Sequence, residues 1–372
     1  MVNEYSCLPP EERVKFSLRA LYERYDYHPY RMSQFEEYSL YAENRSFLQS
    51  PRVITFTDLD GRMMALKPDV TLSIVRHAAQ APNGTEKLYY TENVFRPSAQ
   101  SRAFKEISQI GVEAIGEIDL YQTAEVVALA AMSLERIAPQ ALLEISHVGF
   151  TVGLLDALAL FGADRANVLA ALAAKNRSAL AQAADAAGLS PEDRAALCAL
   201  PTLYGPVAST LEAAKSLVRS KAMEDALAEL AAILSAATAC AEHASLQLDF
   251  SIVGDTDYYS GLMLRGYIAG LPRAVLLGGR YDNILKKLGK GGGGIGFAID
   301  LSGLSRLPAP RQENDIDLLI RYALGSDPAS ILALVARETA KGLRVRAIPE
   351  GKESSAPRCA RCVTPEELEG GE

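Results

Sequence analysis

No run of eighteen or more uncharged apolar residues occurs in this 372-residue chain, which excludes a membrane-spanning helix. Met1–Leu8 has no basic stretch leading into an apolar one, so it does not read as a secretory signal, and the expected location is cytoplasmic. Positive charge is not in excess either: 38 Lys and Arg stand against 46 Asp and Glu, a net charge of −8. An extended nucleic-acid surface needs clustered cations and is therefore disfavoured, although a local basic patch remains compatible. Cysteine is scarce. The five present are odd in number and scattered, which does not make a disulfide framework. Cys359 and Cys362 form a lone C-x-x-C, but a structural zinc needs four ligands and no second pair or nearby His completes the set. No metal and no other cofactor is expected, and the pair reads as two reduced thiols in a surface segment.

What remains is a globular composition, 49% hydrophobic and 23% charged, in a chain long enough for two or three domains. After Pro9, Pro10, Glu11 and Glu12, the apolar residues Val14, Leu18, Leu21, Tyr22 and Tyr25 share one helical face. Val53–Thr57 and Met63–Leu66 flank Asp60 and Gly61 and predict a hairpin. Lys87–Arg96 and Glu106–Ile115 predict two further strands joined by a polar loop. Hairpin-like links of this kind favour an antiparallel sheet over a doubly wound parallel one.

From residue 153 to 243 alanine dominates and helical spacing takes over, with breaks near Gly188–Pro191, Pro201 and Pro206. Strand character returns at Leu246–Val253, Leu262–Ile268 and Ala274–Leu277. Beyond Pro308 and Pro310 the pattern is strand (Ile316–Tyr322), helix (Ala329–Lys341), strand (Leu343–Ile348), a single βαβ-like unit. The acidic tail from Thr364 reads as disordered. The expected organisation is a core of residues 1–152 and 244–308, a helical insertion 153–243, an α/β segment 309–363 and a tail 364–372.

Four separated segments carry a resemblance: Leu66-Lys67-Pro68-Asp69-Val70-Thr71; Glu92-Asn93-Val94-Phe95-Arg96 through Gln109-Ile110-Gly111-Val112-Glu113; Asp257-Tyr258-Tyr259-Ser260-Gly261; and Gly278-Gly279-Arg280-Tyr281-Asp282 with Gly294–Ile299. In this order, with helices between the second and third, they resemble the histidyl branch of the class II aminoacyl-tRNA synthetases over residues 1–305. The resemblance implies an α+β fold: an antiparallel sheet flanked by helices, a helical insertion, and a truncated remnant of an anticodon-binding domain. It also implies roles. The first segment is similar to the loop that holds the amino group of histidine, the second to motif 2, the third to the histidine-specific loop, and the fourth to the approach to motif 3.

The geometry is compatible with such a site. Residues two apart on a strand share a face, so Gln109, Gly111 and Glu113 can form a floor with a side-chain-free middle. Glu113 can accept a hydrogen bond from an imidazole N–H, Asp69, Thr71 and Gln109 can hold an ammonium group, and Tyr258 and Tyr259 can supply an aromatic wall. The same alternation also fits a strand that turns polar residues to solvent. Arg96, whose counterpart in the family grips the α-phosphate and carboxylate, either binds an anion or pairs with a carboxylate.

The departures fall on the ATP side. The acidic residue expected two after Arg96 is Ser98, an arginine expected three before Asp257 is Gly254, and the motif 3 arginine expected two after Leu301 is Gly303, preceded by Ser302. Loss of one donor to transition-state charge costs roughly two to three orders of magnitude in rate. On the amino-acid side Asp69 is merely one methylene shorter than the family's glutamate. Such losses resemble those of the regulatory subunits that support short-form ATP phosphoribosyltransferase in histidine biosynthesis. That resemblance implies a non-catalytic chain partnered with the short catalytic subunit, with histidine as ligand and a homodimer despite Ser33 at the motif 1 proline position. The alternatives are an active histidine–tRNA ligase and a paralogue that senses tRNA or another amino acid. Gly289-Lys290 is not a phosphate loop, because Gly291 rather than Ser or Thr follows.

Overall fold

Thr85–Pro97 and Phe104–Gly116, rich in β-branched and aromatic residues, make a long antiparallel pair in which Tyr90 faces Gly111 and Leu88 faces Glu113. The computed structural model describes residues 8–48, 52–78, 84–98, 103–240, 245–253, 258–306, 314–352 and 356–369. The chain forms two compact units, Val14–Arg306, and Leu307–Glu372 with Met1–Arg13.

In chain order the elements begin with α1 (Pro10–Arg24), β1 (His28–Pro29), β2 (Phe35–Glu37), α2 (Tyr38–Glu43), β3 (Thr55–Thr57), β4 (Met63–Leu66) and α3 (Thr71–His77). The long pair is β5 and β6, followed by α4 (Leu120–Ile137) and β7 (Ala141–His147). Then come α5 (Val148–Ala157), α6 (Gly162–Ala173), α7 (Arg177–Ala186), α8 (Pro191–Ala199), β8 (Tyr204–Pro206), α9 (Val207–Lys215) and α10 (Lys221–Thr238). The larger unit closes with β9 (Ser245–Asp249), β10 (Leu262–Ile268), β11 (Leu276–Arg280), α11 (Asp282–Lys287) and β12 (Gly293–Asp300).

Among the described residues nine strands form the main sheet, in the order β1-β5-β6-β12-β11-β10-β7-β9-β8. Every pairing is antiparallel except β1 with β5 and β7 with β9. The expected antiparallel character therefore describes the centre, while the parallel pairs lie toward the edges. Helices α1 and α4 cover one face. Tyr22 of α1 and Ser133 of α4 share a buried hydrogen bond of 3.0 Å, and the Tyr22 ring lies 6.2 Å from that of Phe297 on β12. Leu18, Leu21 and Tyr22 are buried there, and removing a large apolar side chain from water is worth roughly 1.5–3 kcal/mol. Asp119 starts α4 with a capping box, its side chain accepting from Gln122 N while the Gln122 side chain accepts from Asp119 N.

Between β7 and β9 the helices follow their local signals. Asn176 caps α7, and Ser190 caps α8 with Pro191 in its first turn. Met223, Ala226, Leu230, Ile233 and Leu234 give α10 one buried stripe, which packs on α4 and α5.

Two strand expectations shift. The Leu246–Val253 strand ends at Asp249, whose carboxylate captures the Ser251 N–H at 2.9 Å and turns the chain. The Ala274–Leu277 strand starts later and runs to Arg280, because β10 and β12 close around Gly278 and Gly279. At Gly279, φ is +152° and an added Cβ would lie 2.3 Å from Leu262 O, so only glycine continues the strand there. The expected β3–β4 hairpin is present, with Asp58 accepting from Asp60 N and Arg62 N in its turn.

In the smaller unit, β13 (Ile316–Tyr322), α12 (Pro328–Ala340) and β14 (Val345–Pro349) form the expected parallel βαβ, with Asp327 capping α12. A third parallel strand, β15 (Cys359–Val363), was not foreseen. The disordered tail needs correction: α13 (Pro365–Glu369) follows β15, nucleated by Thr364 and Glu367, which exchange capping hydrogen bonds of 2.8 and 3.4 Å. Residues 370–372 lie outside the described residues.

Candidate functional site

A loop between β4 and α3 forms one wall of the site, and a buried ion pair holds it. Lys67 is fully buried and its Nζ donates to Glu92 Oε2 on β5 at 2.5 Å, while Phe95 N donates to Lys67 O at 2.9 Å. Asp69 follows and accepts from Leu72 N at 2.9 Å. Arg96 ties the same loop to β5, donating from Nε to Pro68 O at 2.7 Å with Nη2 3.6 Å from Asp69. Of the two roles open to Arg96, pairing with a carboxylate is the one its geometry displays.

The sheet supplies the floor. Glu113 accepts from Thr71 Oγ1 at 2.7 Å and, on its other oxygen, from the Tyr281 hydroxyl. Its cross-strand partner on β12 is Gly296, where an added Cβ would fall 1.9 Å from Glu113 Oε2. Absence of a side chain at 296 therefore creates the room in which the acid sits. The open centre expected at Gly111 is not open: Tyr90 pairs with it across the strands, and a Cβ at 111 would lie 2.7 Å from the Tyr90 hydroxyl. Tyrosine, not empty space, covers the middle of the floor.

Asp69, Thr71, Arg96, Gln109, Glu113, Tyr258 and Tyr259 all line one cavity of about 330 Å³, the size class of a small metabolite. Tyr90, Arg273 and Tyr281 line it too and were not singled out from sequence. Tyr281 stood within the fourth segment that carries the family resemblance, so a signal for it existed. Tyr90 and Arg273 carried none, since cross-strand register and turn placement are not local properties. Burial pushes the Glu113 carboxyl up to about 8, against the pull of the Tyr281 and Thr71 hydroxyls, and nearby Asp69 adds to the rise. Burial raises Asp69 as well, with Arg96 opposing. Burial penalises the charged form of both acids, and a ligand that brings positive charge offsets that penalty.

A second cavity of about 440 Å³ adjoins this one along Arg96, Ile107, Arg273, Val275 and Asp300. It is lined further by Ser98, Lys105, Ser302, Gly303 and Arg306. The nearest atom to a Cβ built at Gly303 is 4.0 Å away, so an arginine would have space there. Gly254 and Asp257 lie outside the described residues. Lys290 donates to Arg76 O at 2.8 Å and Ala78 O at 2.6 Å, closing the C-terminus of α3 rather than meeting a phosphate. Cys359 and Cys362 are free thiols three residues apart on β15, hence on opposite faces of that strand. Among the described residues no His, Cys, Asp and Glu group is placed to hold a metal, and no helix is long and apolar enough to cross a membrane.

A sheet with this order, carrying an amino-acid-sized cavity between the 67–71 loop and β12, defines a class II aminoacyl-tRNA synthetase-like protein. The histidyl-tRNA synthetase family matches residues 9–304. An ATP phosphoribosyltransferase regulatory subunit of Cupriavidus pinatubonensis is 32% identical over 83% of this chain and 80% of that protein. A Bacillus halodurans structure described as an ATP phosphoribosyltransferase regulatory subunit/histidyl-tRNA synthetase superposes with a TM-score of 0.76 at 22% identity, covering 96% of this chain and 95% of the other. A chain of the Thermotoga maritima ATP phosphoribosyl transferase (HisG:HisZ) complex gives 0.63 at 19% identity, covering 79% and 98%. The chain belongs to the histidyl-tRNA synthetase family, among its ATP phosphoribosyltransferase regulatory subunits.

Proposed function

We propose that this chain regulates a short-form ATP phosphoribosyltransferase and that free histidine in the 330 Å³ cavity is the signal it carries. The observation carrying this reading is the asymmetry of the two adjoining cavities. On the amino-acid side Asp69, Thr71, Glu113 and Tyr281 are buried and already hydrogen-bonded into position. On the other side Ser98 and Gly303 stand where adenylate formation needs charge and a cation on the phosphates. Histidine places its imidazole N–H on Glu113 and its ammonium among Asp69, Thr71 and Gln109, with Tyr258 and Tyr259 alongside. The Thr71 proton already goes to Glu113, so toward an ammonium Thr71 acts as acceptor, the role an ammonium requires.

Without turnover of its own, such a chain acts through a partner. The complex named for the Thermotoga relative supports a catalytic subunit as that partner. On the small sheet β2-β4-β3, Phe35 and Phe56 are exposed on one face with their rings 5.4 Å apart, an apolar patch suited to a second copy of this chain. Coupling between histidine and the partner must be reciprocal. The test is to mix the chain with a short catalytic subunit and assay ATP-dependent phosphoribosyl transfer with and without histidine. Activity and histidine sensitivity should both require this chain. Equal behaviour in its absence rejects the regulatory role, and histidine-dependent pyrophosphate exchange at synthetase rates would make it a ligase instead.

A further inference from the structure

We propose that Arg273 is the carboxylate anchor of the amino-acid cavity, taking the α-carboxylate of the bound ligand; this rests on the histidine reading above. The charge inventory of the cavity leads to it. Its walls hold the carboxyls of Asp69, Glu113 and Asp300 and two cations, Arg96 and Arg273. Arg96 is already committed to Pro68 O and faces Asp69. No hydrogen bond or ion pair holds the Arg273 side chain among the described residues. An α-amino acid that offers its ammonium to these acids carries its own negative charge into the same small space. Unless a cation receives that carboxylate, the site repels the ligand it is shaped for.

Placement agrees with charge. Arg273 sits on the turn between β10 and β11 and lines both cavities, whereas Thr71, Glu113 and Tyr281 line only the first. It therefore stands at the shared end and Glu113 at the closed end. Gly296, opposite Glu113, and Asp300, whose N–H donates to Val275 O at 2.8 Å, are four residues apart on β12, about 13 Å at strand spacing. A long, planar guanidinium on that turn, lining the cavity, suits bidentate binding of a carboxylate. Val275 N also donates to Gly266 O at 2.8 Å, so the turn has a fixed base two residues from the arginine. The position where the family resemblance calls for a carboxylate-steering arginine is Gly254 in this chain.

Calorimetry on the full chain with L-histidine and L-histidinol tests the assignment, since the amino alcohol keeps the imidazole and ammonium but lacks the carboxylate. Wild type should prefer histidine. Arg273→Ala should weaken histidine by about tenfold or more, the scale of a charged hydrogen bond, and leave histidinol within about twofold. Arg273→Lys should recover part of the loss. An exposed turn residue can be replaced without unfolding the chain, and an unchanged melting temperature verifies this. If both ligands weaken alike, or neither does, Arg273 is not the anchor. If wild type binds histidinol as well as histidine, no carboxylate anchor exists. If wild type binds neither, the histidine reading itself falls and takes this assignment with it.

Discussion

The two cavities share a wall but are built on different terms. In the first, the acids and the loop beside them are held in place: Lys67 of the loop by Glu92, Asp69 by Leu72 N, Glu113 by Thr71 and Tyr281. In the second, Ser98, Gly303 and the exposed Lys105 and Arg306 line open space. Groups already held in place bind a ligand without further ordering cost. A protein that kept amino-acid recognition and lost phosphate chemistry would show this contrast.

The contrast breaks most severely at its buried ion pair. Glu92→Ala leaves the Lys67 ammonium buried without its carboxylate, which should lower stability by about 3–5 kcal/mol and release the 67–71 loop. Urea denaturation measures it, and a loss below about 1 kcal/mol would mean the pair does not hold the loop. Next comes a glycine of the first cavity. Gly296→Ala drives a methyl into Glu113 and Val112 O, so it should cost about 1–3 kcal/mol and abolish histidine binding. Equal melting and binding for this variant and wild type would show that the acid does not need the space.

Glu113→Gln probes the acid itself. A carboxyl raised from 4.5 to about 8 binds its proton more tightly when folded than when unfolded. Wild-type stability therefore falls as pH rises from about 4.5 to about 8, and the full penalty stands above that. The amide has no charge to bury, so it should melt higher than wild type at pH 9, and the two should converge below about pH 4.5. At pH 7 the same change should weaken histidine by roughly 1–3 kcal/mol. A melting difference that does not vary with pH would show that Glu113 is ordinarily ionised in the fold. The smallest effect should be Gly303→Arg, which enters open space and should alter stability by less than about 0.5 kcal/mol. It should not restore pyrophosphate exchange, because Ser98 and Gly254 remain; restored exchange would locate the entire defect at 303.

Much of the fold was legible because its signals are local. The strands expected at Lys87–Arg96 and Glu106–Ile115 lie within β5 and β6, and the Leu262–Ile268 strand was placed with its observed ends. Where a side chain redirected the backbone, as Asp249 does in ending β9, the pattern alone overran. The site was legible as a set of residues, since Asp69, Arg96, Gln109, Glu113, Tyr258 and Tyr259 lie in recognisable segments. Its inner connections were not. That Tyr90 covers Gly111 depends on the register of two strands paired across a loop, and that Lys67 meets Glu92 depends on a contact spanning 25 residues.

The sequence by itself determined that the chain folds as helices around an antiparallel centre, that it belongs with the histidyl family, and that Ser98, Gly254 and Gly303 stand where the resemblance places charged groups. Residue identity decides such matters, because a missing guanidinium cannot be supplied by geometry. Tertiary structure alone decided which groups satisfy one another: Glu113 held by two hydroxyls, Arg96 drawn onto Asp69, Arg273 left with its charge unmatched at the mouth. Partnership between charges depends on distance and burial, and neither exists until the strands are in register.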